Sequence, residues 1–222
     1  MITQIYSLVE PGEAVAAVRA GADRIGVLTG DENCPCCVSE QKVAEIFEAV
    51  GDSAVKVLIS MADDIGTTID RCNRLHPDII HLCGKPDHII EDAVAFRNAH
   101  PDIQIMMAVG VRDETAIETA VSYAPYCDNI ILDTDNPAIG AIGAAGITND
   151  WNIDRAIVEA VDIPVILAGG LGPDNVQDAI RAVRPAGVDS LTKTSIRQNG
   201  KLICKNLPLV KEFCRKAKET VL

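Results

Sequence analysis

The chain has 222 residues, of which 48% are apolar and 23% charged, and its 20 Lys+Arg against 32 Asp+Glu give a formal net charge of −12. This is the composition of a soluble globular protein, long enough for one large core. The acidic balance repels phosphate backbones and argues against a nucleic-acid partner, while 3% aromatic residues disfavour an all-β sandwich. No apolar stretch reaches the roughly 18 residues a membrane span needs, and the start Met1-Ile-Thr-Gln-Ile lacks a basic segment before an apolar one, so the sequence reads as cytoplasmic with no membrane partner. Its eight cysteines are then expected to be reduced thiols rather than a disulfide framework.

In chain order, short β-branched runs predict eight strands at residues 2–8, 24–28, 54–61, 78–83, 103–111, 129–133, 164–168 and 188–192. Between them, residues that cap or begin helices open eight helical stretches: Glu10-Pro11-Gly12-Glu13, Ser39-Glu40, Asp63-Asp64, Lys85-Pro86-Asp87, Asp113-Glu114, Asn152, Pro173-Asp174 and Pro208. Runs such as Asn129-Ile-Ile-Leu-Asp133 and Pro164-Val-Ile-Leu-Ala168 are apolar almost throughout, as strands of a parallel sheet covered on both faces are. Eight βα units without a linker predict an α/β fold in a single domain spanning 1–222, a closed (β/α)8 TIM barrel; a doubly wound open sheet is the runner-up. The two longest connections, 30–38 and 136–150, both follow strands and so fall on the face where such barrels carry their chemistry.

The densest chemical signal is Pro164-Val-Ile-Leu-Ala-Gly-Gly-Leu-Gly-Pro-Asp-Asn-Val176, a buried strand entering a glycine-rich turn before a helix. Gly169 and Gly170 can present main-chain amides to a phosphate, although a plain tight turn would read the same way. Thr192-Lys193-Thr194-Ser195, after the eighth strand, offers hydroxyls and an ammonium for the other half of the cup; Lys193 could instead snorkel to solvent or form a Schiff base. Asp133 closes an apolar run, where a carboxylate must be paired, hydrated or kept for proton transfer. His81 and Cys83 end the fourth strand on one side and are read as polar lining of the pocket rather than as metal ligands with Asp133. Cys34, Cys36 and Cys37 supply three thiols to the loop after the second strand, one short of a zinc site, so neither a metal nor a cofactor is expected.

The segments Glu10-Pro-Gly-Glu-Ala-Val-Ala-Ala-Val-Arg-Ala-Gly-Ala-Asp-Arg-Ile-Gly-Val27, Val38-Ser39-Glu40-Gln41, Ile80-His-Leu-Cys-Gly84, Ile131-Leu-Asp133, Asn149-Asp-Trp151, Leu167-Ala-Gly-Gly-Leu-Gly-Pro-Asp-Asn-Val176 and Gly187-Val-Asp189 together resemble phosphoribosylanthranilate isomerase, the barrel enzyme of tryptophan biosynthesis. The resemblance implies opening of an aminoaldose phosphate and its rearrangement to an aminoketose without a cofactor. An acid protonates the ring oxygen and a base removes the proton of the neighbouring sugar carbon. The family's acid falls on Asp133. Its base, a Cys near the end of the first strand, is replaced in Gln4-Ile5-Tyr6-Ser7, which leaves Tyr6, or a thiol such as Cys83, for that role. The family's loop Arg, which pairs with the anthranilate carboxylate, becomes Cys36, and its Ser-Ser-Gly turn becomes Leu191-Thr192-Lys193.

These departures gather at the substrate end, and a thiol cannot replace a bidentate guanidinium. The expectation is therefore an aldose–ketose isomerase of a phosphorylated sugar other than phosphoribosylanthranilate. Its catalytic residues would be Asp133, Tyr6 and Cys83, with Gly169, Gly170, Thr192, Lys193 and His81 binding a small phosphorylated sugar in a monomer or homodimer. The alternatives are a sugar-phosphate epimerase, an aldolase or lyase using a Lys193 imine, and a non-catalytic sugar-phosphate binding protein.

Overall fold

The computed structural model describes residues 1–30, 36–62, 64–83, 88–136, 141–142, 147–198 and 201–221. Eight parallel strands, β1 (Ile2–Ile5), β2 (Arg24–Thr29), β4 (Val55–Ser60), β5 (Ile79–Leu82), β6 (Gln104–Val111), β7 (Asn129–Asn136), β9 (Val165–Leu167) and β10 (Gly187–Ser190), pair in that order around a ring. It closes where β1 meets β10 (Ile2↔Gly187 to Ile5↔Ser190) on one side and β2 (Gln4↔Arg24) on the other, so the open-sheet alternative is excluded. Helices α1 (Pro11–Arg19), α2 (Glu40–Val50), α3 (Ile65–Leu75), α4 (Ile89–Ala99), α5 (Thr115–Tyr123), α6 (Trp151–Ala160), α7 (Val176–Val183) and α8 (Leu207–Glu219) cover the outside.

Period-two alternation divides the strand side chains between two cores. Ile5, Ile25, Val27, Leu58, Ile80, Ile105, Ile130, Leu132, Leu167 and Val188 point outward and pack with the helices around Phe96 and Phe213. Tyr6, Val57, Ile59, Ile79, Met106, Ala108, Ile131, Ile166 and Ala168 fill the barrel. Because both faces are buried, each large apolar side chain contributes about 1.5–3 kcal/mol and no strand can slip register cheaply. At the strand N-termini, Arg24 Nη1 and Nη2 donate to Asn129 Oδ1 at 3.3 and 3.2 Å, and Asn129 Nδ2 donates to Gln104 Oε1 at 3.2 Å, a polar floor below the apolar layers.

Several boundaries differ from those predicted. β1 ends at Ile5 rather than residue 8, because Ser7 turns the chain with φ 61, and β7 runs on past Asp133 to Asn136. Ser39, Asp64 and Asn206 cap α2, α3 and α8 by accepting from Lys42, Thr67 and Leu209 amides; α6 is capped by Asp150, two residues before the expected Asn152. Asp63, Lys85-Pro86-Asp87 and Cys34 lie outside the described residues. Four unpredicted strands decorate the rim: β3 (Cys37–Val38) beside β2, β8 (Ala141–Ile142) antiparallel to β7, and the hairpin β11 (Ser195–Gln198) with β12 (Lys201–Lys205). β3 and β8 pair with the C-terminal ends of β2 and β7, and the β11–β12 hairpin follows β10, so they lie at the mouth formed by the strand C-termini.

Candidate active site

Tyr6 follows β1 and points into the barrel because the alternation set by Gln4 continues. Gly26 on β2 makes room for its ring: a Cβ there would stand 1.8 Å from Tyr6 Cδ1. Across the barrel on β5, His81 meets it, with Tyr6 Oη 2.7 Å from His81 Nδ1 and the rings 5.6 Å apart at 42°. Both are buried, at 4% and 8% exposure, and His81 Nε2 has no hydrogen-bond partner among the described residues. Burial pushes the imidazole down to about 4, so it is neutral at physiological pH. Burial also lifts the Tyr6 phenol well above 10, and the charges of Asp189, Cys83 and Asp133 add to the shift. This is opposite to the direction a phenolate base requires.

Cys83, two residues beyond His81, sits exposed on the rim. Its thiol is nevertheless pushed up to about 11, by desolvation. Asp133, at the register position of Gly110 on β6, is half-buried; desolvation lifts its carboxyl to about 6, against a backbone bond from Thr134 N at 2.7 Å. An acid that is still partly protonated near neutrality is what general-acid chemistry needs.

At the ends of β9 and β10 lie the residues expected to cradle phosphate. Gly169 (φ 83) and Gly170 (φ 58) adopt left-handed conformations, and a Cβ at Gly169 would lie 2.7 Å from Asn149 Oδ1 and 3.0 Å from Thr134 Oγ1. Asn175 splints this turn, accepting from Gly172 N at 2.9 Å and donating to Gly170 O at 3.2 Å. Thr192 and Lys193 form the short turn after β10. Two of the anticipated hydroxyls are turned away from it: Thr194 Oγ1 donates to the Ser190 and Leu191 carbonyls, and Ser195 Oγ to Leu191 O. Lys193 is exposed and ion-paired with Asp174 at 3.4 Å, so it stands at the edge of the cup.

Two further residues complete the mouth although the sequence does not single them out for chemistry. Asp189, 4% exposed, accepts from Gln4 Nε2 at 3.3 Å, and burial, reinforced by the nearby Asp133, holds its carboxyl well above the ordinary range. A charge inside Gly187-Val-Asp-Ser190 was the available signal. Lys205, also 4% exposed, has its ammonium pushed down to about 8 by burial; it donates to Leu191 O at 3.2 Å and Ser195 Oγ at 2.8 Å, and its amide bonds Glu13. It clamps the turn carrying Thr192 and Lys193, and nothing in its local sequence announces that, because the hairpin brings it there. Among the described residues no group of three His, Cys, Asp or Glu is placed to hold a metal ion, and Cys36 and Cys37 lie half-buried beside β2.

Asp133, the Gly169–Gly170 turn and the Thr192–Lys193 turn thus lie at the C-terminal ends of β7, β9 and β10, the face on which barrels of this kind carry their chemistry. The family model of N-(5′-phosphoribosyl)anthranilate isomerase matches residues 4–216. The N-(5′-phosphoribosyl)anthranilate isomerase of Methanocella arvoryzae is 31% identical over 219 residues, 98% of each chain, and that of Haloferax volcanii 33% over 187 residues, 84% of this chain and 80% of its own. The phosphoribosylanthranilate isomerase structure from Thermotoga maritima superposes with a TM-score of 0.80 at 25% identity, covering 98% of this chain and 99% of that one. The chain belongs to the phosphoribosylanthranilate isomerase family and is an isomerase. All three relatives carry the name of one activity, so the expectation of a different substrate gains no support from them. No helix among the described residues is long and apolar enough to cross a membrane.

Proposed function

We propose that the protein carries out the aldose-to-ketose rearrangement of a 5-phosphorylated aldosylamine, with N-(5′-phosphoribosyl)anthranilate as its substrate. The observation that carries this reading is the Asp133 carboxyl, lifted to about 6 at the mouth of the barrel. Phosphate is held by the amides of Gly169 and Gly170 and by the Thr192–Lys193 turn. Asp133 gives its proton to the ring oxygen; the bond from that oxygen to C1 breaks and C1 becomes the carbon of a cationic imine. A base then takes the C2 proton.

Of the two candidate bases, Cys83 fits better than Tyr6. The imine cation formed beside it favours ionisation of the thiol, which releases its proton to solvent at the rim and, as the thiolate, then accepts the C2 proton. The phenol of Tyr6 lies enclosed beside acidic groups that oppose its ionisation. A Lys193 imine has less to recommend it, since that amine is solvent-exposed and ion-paired, and the epimerase and non-catalytic readings have no observation of their own in their favour. The reaction fits a cytoplasmic biosynthetic protein working as a monomer or homodimer, which light scattering decides.

The test is direct turnover of N-(5′-phosphoribosyl)anthranilate, together with complementation of a tryptophan auxotroph lacking this isomerase. Turnover and growth are expected. Soluble, folded protein that binds ribulose 5-phosphate yet leaves the anthranilate compound unconverted would reject the substrate.

A further inference from the structure

Tyr6 and His81 have no part in the acid and base steps just described, yet they form a close polar contact inside the barrel, 2.7 Å between buried groups. A neutral imidazole has two tautomers, and the contact discriminates between them. If Nδ1 carried the hydrogen, it would donate to Tyr6 Oη. The phenol hydrogen and the Nε2 lone pair would then both be buried without partners. If Nε2 carries it, the phenol donates to Nδ1 and a single group is left over, the Nε2–H. Each orphaned buried polar group costs about 1–3 kcal/mol, so the second arrangement prevails. The structure thus holds one hydrogen-bond donor, Nε2–H, on a 92%-buried ring in the top layer of the barrel, with no partner among the described residues.

We propose that His81 is the neutral electrophile of this isomerase, its Nε2–H donating to the oxygen on C2 of the sugar, and that Tyr6 is the positioning residue that fixes the tautomer. The inference rests on the isomerase reading above. After ring opening, the C2–H proton leaves to the base, its electron pair forms the C1=C2 bond, and the C1=N pair returns to nitrogen. The C2 hydroxyl then loses its proton as C2=O forms and C1 gains one. No proton passes to or from His81; it bonds the oxygen whose charge changes most in these steps. Burial keeps the ring from becoming a cation, which leaves it a donor rather than an ion and removes any need to pair it. Gly26 belongs to the same device, since any side chain there would displace the Tyr6 ring.

The test reads the tautomer and the kinetics separately. In the unaltered protein, ¹⁵N-histidine NMR should show His81 protonated on Nε2, with that signal shifting on saturation with ribulose 5-phosphate, which carries the C2 oxygen and the phosphate but no aryl group. His81→Ala should lower kcat about 10²-fold with KM within a few-fold. His81→Gln, which keeps a neutral N–H, should recover most of the loss, and Tyr6→Phe should lower kcat about tenfold, the worth of one hydrogen bond. An Nδ1–H tautomer, an Nε2 signal unmoved by the ketose phosphate, or variants with kcat within twofold of the unaltered enzyme would each overturn the proposal. If His81 responds to ribulose 5-phosphate while the anthranilate compound is not converted, the electrophile stands and the substrate falls.

Discussion

Asp133→Asn separates catalysis from stability. The carboxyl is lifted from the ordinary 3.8 to about 6, mainly by desolvation. Below about pH 4 the group is protonated in both folded and unfolded chains and costs nothing. As pH rises through that value the unfolded chain releases its proton first, so the folded state loses stability until pH passes about 6 and the difference levels off. At about 1.36 kcal/mol per unit of pKa the full difference would be about 3 kcal/mol; Asp133 is only half-buried, and solvent screening reduces this to about 1–2 kcal/mol. Asparagine keeps an oxygen for Thr134 N and carries no charge. The variant should therefore melt about 3–6 °C higher than the unaltered protein at pH 8 and alike at pH 4, while turnover falls 10²–10⁴-fold. Calorimetry at the two pH values together with a turnover assay makes the measurement. An equal or lower Tm at pH 8 would show that Asp133 is not desolvated, and unchanged turnover would remove it as the acid.

Three further outcomes follow from the same geometry. Gly169→Ala places a Cβ 2.7 Å from Asn149 Oδ1 at φ 83, so it should cost about 1–3 kcal/mol in denaturant unfolding and weaken ribulose 5-phosphate binding, measured by calorimetric titration. Lys193→Ala removes a charge at the edge of the cup and an exposed ion pair, so KM should rise several-fold while stability changes by less than about 1 kcal/mol. Cys83, with its thiol at about 11, should be alkylated by iodoacetamide about 10²-fold more slowly at pH 8 than an ordinary exposed cysteine, and tenfold faster for each pH unit up to about 11, as followed by peptide mass spectrometry.

How much of this could be read from the chain depended on how local the cause was. The eight strands and the helices between them follow from apolar runs and capping residues whose effects reach only a turn or two, so the barrel was legible, as were the glycine turn at 169–170 and the exceptional carboxylate of Asp133. Strand ends were less so: Ser7 gives no compositional warning that it will turn left-handed and stop β1. The rim strands β3 and β8 and the hairpin β11–β12 escaped because they are held by pairing with distant residues rather than by their own pattern.

The amino-acid sequence alone determined the ring of βα units, the family, the glycine turn at 169–170 and the place of Asp133 on its apolar strand, because each depends on residue type and spacing along one stretch of chain. The tertiary structure alone decided that Tyr6 meets His81 across the barrel, 75 residues away, that Lys205 rather than Lys193 is the buried ammonium, and that Asp189 stands near Asp133. Those relations arise from closure of the sheet, which brings remote strands together and strips water from their side chains, and it is the loss of water that sets which of these groups are charged.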